Sequence, residues 1–242
     1  MARFVRILFL ILLAVACSTD GESVLGSLEN AVKDRVIVRD NVIACAASNE
    51  KDDMVSIYVY PRDGVSNLRY FETETAEVDK NNFSAYMEYL PPLLNVFNGY
   101  LKRFEIEVSQ EKWVIVTFDE SGKTHLSNPI RLKQNTKPTE YLPQNVSVSD
   151  SANTPIFSWH DGRYDDTEIY FQVVSDVQGN LLSGTYTFEK IFQYYQLDNV
   201  VLNITKISPP TLKMNTSYNF TLLAVSEDNW VNLLSEISFD LN

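Results

Sequence analysis

Tyr218-Asn-Phe-Thr-Leu-Leu-Ala-Val225 carries the decisive pattern of this chain. Tyr218, Phe220 and Leu222 alternate with Asn219 and Thr221, the period of two that a strand imposes by sending successive side chains to opposite faces. The pattern recurs on either side of this run. Ile237 to Leu241 follows it, and Val146 to Val148, Ile156 to Trp159, Ile169 to Val174 and Val200 to Ile204 precede it, giving six strand candidates. Phe157 and Trp159 fall on one face of their strand, and Tyr170, Gln172 and Val174 oppose Ile169, Phe171 and Val173. Short strands at this spacing predict a β-sandwich over residues 143–242.

Upstream, Lys133-Gln-Asn-Thr-Lys-Pro-Thr-Glu140 is polar and aperiodic, which predicts an interdomain linker at 135–142. A first β unit is expected over 36–134. Ile43, Cys45 and Ala47 alternate there with Val42, Ala44 and Ala46; Val55, Ile57 and Val59 alternate with Ser56, Tyr58 and Tyr60; Trp113 to Phe118 and Ile130 to Leu132 follow. Asp63-Gly64 and Ser121-Gly122 are turn signals, and Asp119 to Lys123 predicts a hairpin. Glu88 to Phe104, with Pro91-Pro92, has no clear period and admits a helical turn. The expected fold is all-β, with two tandem sandwiches.

The N-terminus predicts export. Arg3 and Arg6 precede the apolar run Ile7 to Leu13 and the small-residue site Ala14-Val15-Ala16, so residues 1–16 read as a signal peptide. That run falls well short of the roughly 20 residues that span a bilayer. Ala14-Val15-Ala16-Cys17 resembles the bacterial lipobox, in which the Cys is acylated, with Ala14 where Leu is usual; plain secretion with a free Cys17 also fits Ala-Val-Ala. Residues 17–35 then form a tether, whose Asp20, Glu22 and Glu29 resemble weakly the acidic surface-export signal of Bacteroidota.

Charge and composition exclude several function classes. With 20 basic against 32 acidic residues, the net charge is -12, and a phosphate-tracking nucleic-acid binder needs the opposite sign. Two Cys and two His provide neither a zinc cluster nor a disulfide framework. His125 and His160 fall in different units, and no Gly-x-Ser-x-Gly elbow, HExxH motif or Gly-rich phosphate loop occurs, so no enzyme activity and no cofactor are expected. Cys45, between Ala44 and Ala46, reads as a small core residue.

Two features suit binding. Asp161-Gly-Arg-Tyr-Asp165-Asp166 clusters oxygen ligands, but Arg163 opposes a cation, so a solvated turn is preferred over a calcium site. Tyr186, Phe188, Phe192, Tyr194 and Tyr195 fit neither a period of 2 nor of 3.6. Some of them must face outwards or a neighbouring domain. Exposed aromatics make sugar platforms or protein hot spots, and Tyr194, Tyr195 and Trp230 are the expected ligand contacts. Five Asn-x-Ser/Thr sequons, at Asn82, Asn145, Asn203, Asn215 and Asn219, discriminate little in a chain so rich in these residues.

Residues 143–242 resemble a fibronectin type III domain: Trp159 matches its buried Trp, Tyr170 its third strand, and Leu212 with Tyr218 the spacing that leads into its penultimate strand. Residues 36–134 resemble a divergent copy, with Cys45 where a Trp is expected, and depart from the pattern over 80–106. With the lipobox, the combination resembles envelope lipoproteins of Bacteroidota. The resemblance implies a non-catalytic protein, lipid-anchored to the bacterial outer membrane through Cys17, acting as a scaffold or adhesion module for an envelope protein partner. Its alternative is a carbohydrate-binding accessory lipoprotein of a glycan-uptake system.

Overall fold

A computed structural model describes residues 25–149 and 153–241; the signal segment and Cys17 lie outside the described residues. The first sandwich contains β1 (Ile37–Val42), β2 (Ala44–Ser48), β3 (Met54–Val59), β4 (Ser66–Glu72), β5 (Met87–Tyr89), β6 (Leu93–Val96), β7 (Leu101–Glu107), β8 (Lys112–Glu120), β9 (Lys123–Ser127) and β10 (Ile130–Leu132). One sheet runs β1-β9-β8-β4-β5, with β10 also on β8, and the facing sheet runs β2-β3-β7-β6. The second contains β11 (Glu140–Tyr141), β12 (Val146–Ser149), β13 (Ile156–Trp159), β14 (Thr167–Asp176), β15 (Leu181–Thr187), β16 (Ile191–Gln193), β17 (Val200–Asn203), β18 (Thr216–Ser226) and β19 (Val231–Leu241). Its sheets run β11-β19-β18-β14-β15-β17 and β12-β13-β16.

The two sandwiches repeat one scheme. β9-β8-β4-β5 corresponds to β19-β18-β14-β15, β2-β3-β7 corresponds to β12-β13-β16, and β1 and β11 each pair in parallel with the last strand, β9 or β19. The fold is therefore all-β, with two tandem immunoglobulin-like, fibronectin type III-like sandwiches. Leu212 is buried before β18, and the Lys213 N–H donates to the Tyr218 hydroxyl at 2.9 Å, tying the corner by which the chain enters that strand. The β8–β9 hairpin turns on Ser121 (φ 51°) and Gly122 (φ 76°), the left-handed pair that matches the twist of the flanking strands.

Alternation on both faces stacks the sheets. On β8, Val114 and Val116 face the first core with Val55 and Ile57, while Trp113 and Ile115 face outwards onto Leu28, Phe71 and Tyr86. On β14 and β18, Tyr170, Phe220 and Leu222 enter the second core beside Phe157 and Trp159. Phe171, Val173, Leu223 and Val225 leave the opposite face of that sheet and meet Ala47, Tyr60 and Leu101 of the first sandwich. The sandwiches thus pack sheet face against sheet face, with an apolar layer between them.

Several expectations change. The tether does not reach residue 35: Ser27 caps α1 (Leu28–Val32), and Leu28 is fully buried on the first sandwich. The 135–142 linker is not a free spacer, because Thr139 and Tyr141 within it join the two sandwiches. Thr139 Oγ1 accepts from Ser48 N–H at 2.9 Å and donates to Val231 O at 2.8 Å, and the Tyr141 hydroxyl donates to Ser48 O at 2.6 Å. The aperiodic stretch from Glu88 to Phe104 builds β6 and β7, with a 3-10 turn at Phe97–Gly99 between them. Cys45 does not occupy a Trp position of its own core: in β2 it shares the outward face with Ala47, and Ala46 is the residue that points inwards.

Candidate interaction surface

Of the three expected ligand contacts, only Tyr195 reaches the surface. Tyr194 continues the pairing of β16, its N–H donating to Pro155 O at 3.0 Å, and its ring enters the second core. Its hydroxyl donates to Pro210 O at 2.7 Å, and burial pushes the phenol pKa up. Tyr195 then takes a left-handed backbone (φ 71°), which turns its ring out to 45% exposure. The two rings are inclined at 58° with only one exposed, so they form no coplanar platform. Trp230 is fully buried, its indole N–H donating to Lys137 O at 2.7 Å, because the β18–β19 hairpin carries it into the first sandwich.

The other candidate groups have internal partners. Asp161 accepts from the Tyr170 hydroxyl at 2.7 Å and pairs with Lys190. Asp166 pairs with Lys137 and accepts from Asn232 Nδ2 at 2.9 Å, while Arg163 Nε lies 3.4 Å from Glu140. The 161–166 loop therefore spends two of its carboxylates on lysines. Among the described residues no group of three His, Cys, Asp or Glu could hold a metal. His125 is buried in β9 with Nδ1 2.7 Å from Asn41 Oδ1, and His160 is exposed in the second sandwich, so the two share no cleft.

Exposed apolar side chains gather instead at the β16–β17 end of the second sandwich. Phe188, Ile191, Tyr195, Leu197, Val201 and Leu202 are each at least 43% exposed, and they lie within fifteen residues of chain from Phe188 to Leu202. The loops between them are pinned. Thr187 Oγ1 donates to Glu189 O at 2.8 Å, Asn199 Nδ2 donates to Ile191 O at 2.9 Å, and Val200 N–H donates to Leu197 O at 3.1 Å. A pinned apolar display binds at lower ordering cost than a mobile one.

β17 ends its sheet. It pairs with β15 through Val200, Leu202 and Asn203, and its other edge has no partner strand among the described residues. Proline and charge commonly protect such edges, yet Val200–Asn203 contains neither. β6, which ends a sheet of the first sandwich, does carry such protection: Pro91-Pro92 precede it, and Lys102 on β7 reaches Asn95. The aromatic density over 186–195 pointed to this region; Val201 and Leu202 gave no sequence signal, because their exposure follows from β17 lying outermost.

No family model and no curated protein matches the chain. Among solved structures it is similar to the FN1-FN3 domains of chicken CNTN1, at 15% identity over 86% of this chain and 68% of that one, with a TM-score of 0.31. It is also similar to the chicken interferon gamma receptor alpha chain, at 10% identity over 84% of this chain and 97% of that one, with a TM-score of 0.27. Likeness at this level carries nothing about what the chain binds.

Proposed function

We propose that this chain is a non-catalytic envelope lipoprotein, anchored to the bacterial outer membrane by acylation of Cys17, that docks a protein partner along the free edge of β17. The observation behind this reading is the cluster of exposed apolar side chains beside an unprotected sheet edge. An extended peptide segment of the partner would add to β17 as a further strand, its backbone supplying affinity and its apolar side chains meeting Val201, Leu202 and Tyr195. Acylation would supply an anchor: with Arg3 and Arg6 removed, the net charge is two units more negative than the -12 of the whole chain, and anionic headgroups repel such a surface. A glycan platform has lost two of its three expected aromatics, Tyr194 and Trp230, to the cores.

The test places a photocrosslinking residue at Val201, or as a control at the exposed Lys51, in membranes of the source organism. The expected result is one adduct of discrete mass from position 201, absent from position 51 and lost on adding Leu202→Lys. The same adducts from both positions would refute the docking edge. Radiolabelled palmitate entering the wild type but not Cys17→Ser is the expected outcome for the anchor; equal labelling removes it.

A further inference from the structure

A cavity of about 210 Å³ lies in the apolar layer between the sandwiches, walled by Cys45, Tyr58 and Arg103 on one side and Tyr186, Thr221 and Glu236 on the other. Its origin is the size of the facing side chains. Sheets packed face to face stand about 10 Å apart, and only large side chains fill that gap. Phe171, Leu101 and Tyr60 hold the sheets at this spacing, while Cys45 and Thr221 are too short to meet across it.

Two polar atoms on these walls are buried without a hydrogen-bond partner, Thr221 Oγ1 and Arg103 Nε. Thr221 is 6% exposed, in the middle of β18 between Val173 and Glu236 on the neighbouring strands. A buried hydroxyl left unpaired is disfavoured, and native structures seldom leave one. Arg103 pairs with Glu105 through Nη2 at 2.9 Å, a contact that leaves its buried Nε–H unanswered.

We propose that this cavity binds a small neutral aromatic molecule bearing one oxygen, of the phenol class, with the ring between Tyr58 on one wall and the stacked Phe171–Tyr186 pair on the other, and the oxygen toward Thr221 and Arg103. The space exceeds the roughly 150 Å³ apolar cavity known to take up benzene. Arg103 is already paired with Glu105 and the Glu236 carboxylate is exposed to solvent, so no unpaired buried charge on these walls calls for an ionic ligand, and a neutral one suits the site. An oxygen that can both accept and donate suits an N–H donor and a hydroxyl.

The test titrates 4-fluorophenol into the purified full chain and follows its fluorine resonance. The expected result is saturable one-to-one binding, abolished by Cys45→Phe, which fills the space, and weakened about fivefold by Thr221→Val, which keeps the shape and removes one hydrogen bond. Thr221→Val decides the matter if Cys45→Phe does not fold. A shift that never saturates, or binding unchanged in Thr221→Val, would overturn the proposal.

Discussion

Trp230, carried by the second sandwich, lies fully buried beside Ala46 in the core of the first. The Ala46 N–H donates to Asn229 O at 3.0 Å, and the indole N–H of Trp230 donates to Lys137 O, so backbone and side chain fix the insertion together. Asn229 takes a left-handed backbone (φ 60°) at the turn that delivers it. A large aromatic that the first sandwich does not supply from β2 thus comes from its neighbour.

Trp230→Ala should therefore destabilise both sandwiches together. The expected loss is about 3–5 kcal/mol for a buried Trp, read in denaturant as one cooperative transition moved to lower concentration. Faster amide exchange should appear on β3 and β8 of the first sandwich as well as on β18. Two separate transitions would mean that the sandwiches fold independently.

Proteases should spare the segment from Lys133 to Glu140. Thr139 is buried there and β11 is paired with β19, so the backbone cannot readily enter a protease cleft. Early tryptic cutting is expected between Lys206 and Lys213, where Ile207 is 77% exposed. Two fragments parted at 133–140 would contradict this packing.

Tyr218→Phe removes only the corner hydroxyl and should cost about 1 kcal/mol. Trp159→Ala, which empties the second core beside Tyr170 and Phe220, should cost about 3–5 kcal/mol. Equal losses in chemical denaturation would show that the corner bond and the core Trp had been wrongly weighted.

The Cys45 thiol should be inert in the folded protein. Burial pushes its pKa up to about 12, so almost no thiolate exists near neutrality. In Cys17→Ser, Ellman's reagent at pH 7.5 should report one thiol only after denaturation. Rapid reaction of the native chain would place Cys45 in a more open setting.

Acid should weaken the clasp between Lys137 and Asp166. Burial by itself raises the Asp166 pKa, but hydrogen bonding and charge from Lys137, with the Asn232 amide, hold it below the ordinary aspartate value. The folded chain binds this proton less tightly than the unfolded chain, so the contribution is complete above about pH 4 and fades as pH falls further. Asp166→Asn should accordingly lose stability at pH 6 and approach the wild type at pH 2, as measured by denaturation midpoints. A constant difference across that range would count against the clasp.

Much of the fold was legible because a strand writes its period into the chain. The apolar alternation of Tyr218 to Val225 and the turn at Ser121-Gly122 led to strands and a hairpin, both local consequences of backbone geometry, while the Leu212-to-Tyr218 spacing marked the entry to β18 only through the family resemblance. β6 and β7 escaped notice since Pro91-Pro92 and the turn at Phe97–Gly99 interrupt their period. Of the interaction surface, aromatic density marked the neighbourhood but not the exposed residues. Tyr194 and Tyr195 are identical in composition and adjacent, and a single left-handed backbone at Tyr195 separates a core ring from a surface one.

By itself the sequence determined where strands form, their two-faced character, and the acidic, Cys-poor composition that leaves little material for acid-base or metal chemistry. Only the tertiary structure decided which apolar face meets which. It joined Phe171 and Val173 to the first sandwich, carried Trp230 across to Ala46, turned the polar 135–142 segment into a seam, and left β17 outermost. The physical reason is that period and propensity act within a few residues, whereas the choice of neighbour depends on long-range complementarity between faces that look equally apolar in the chain.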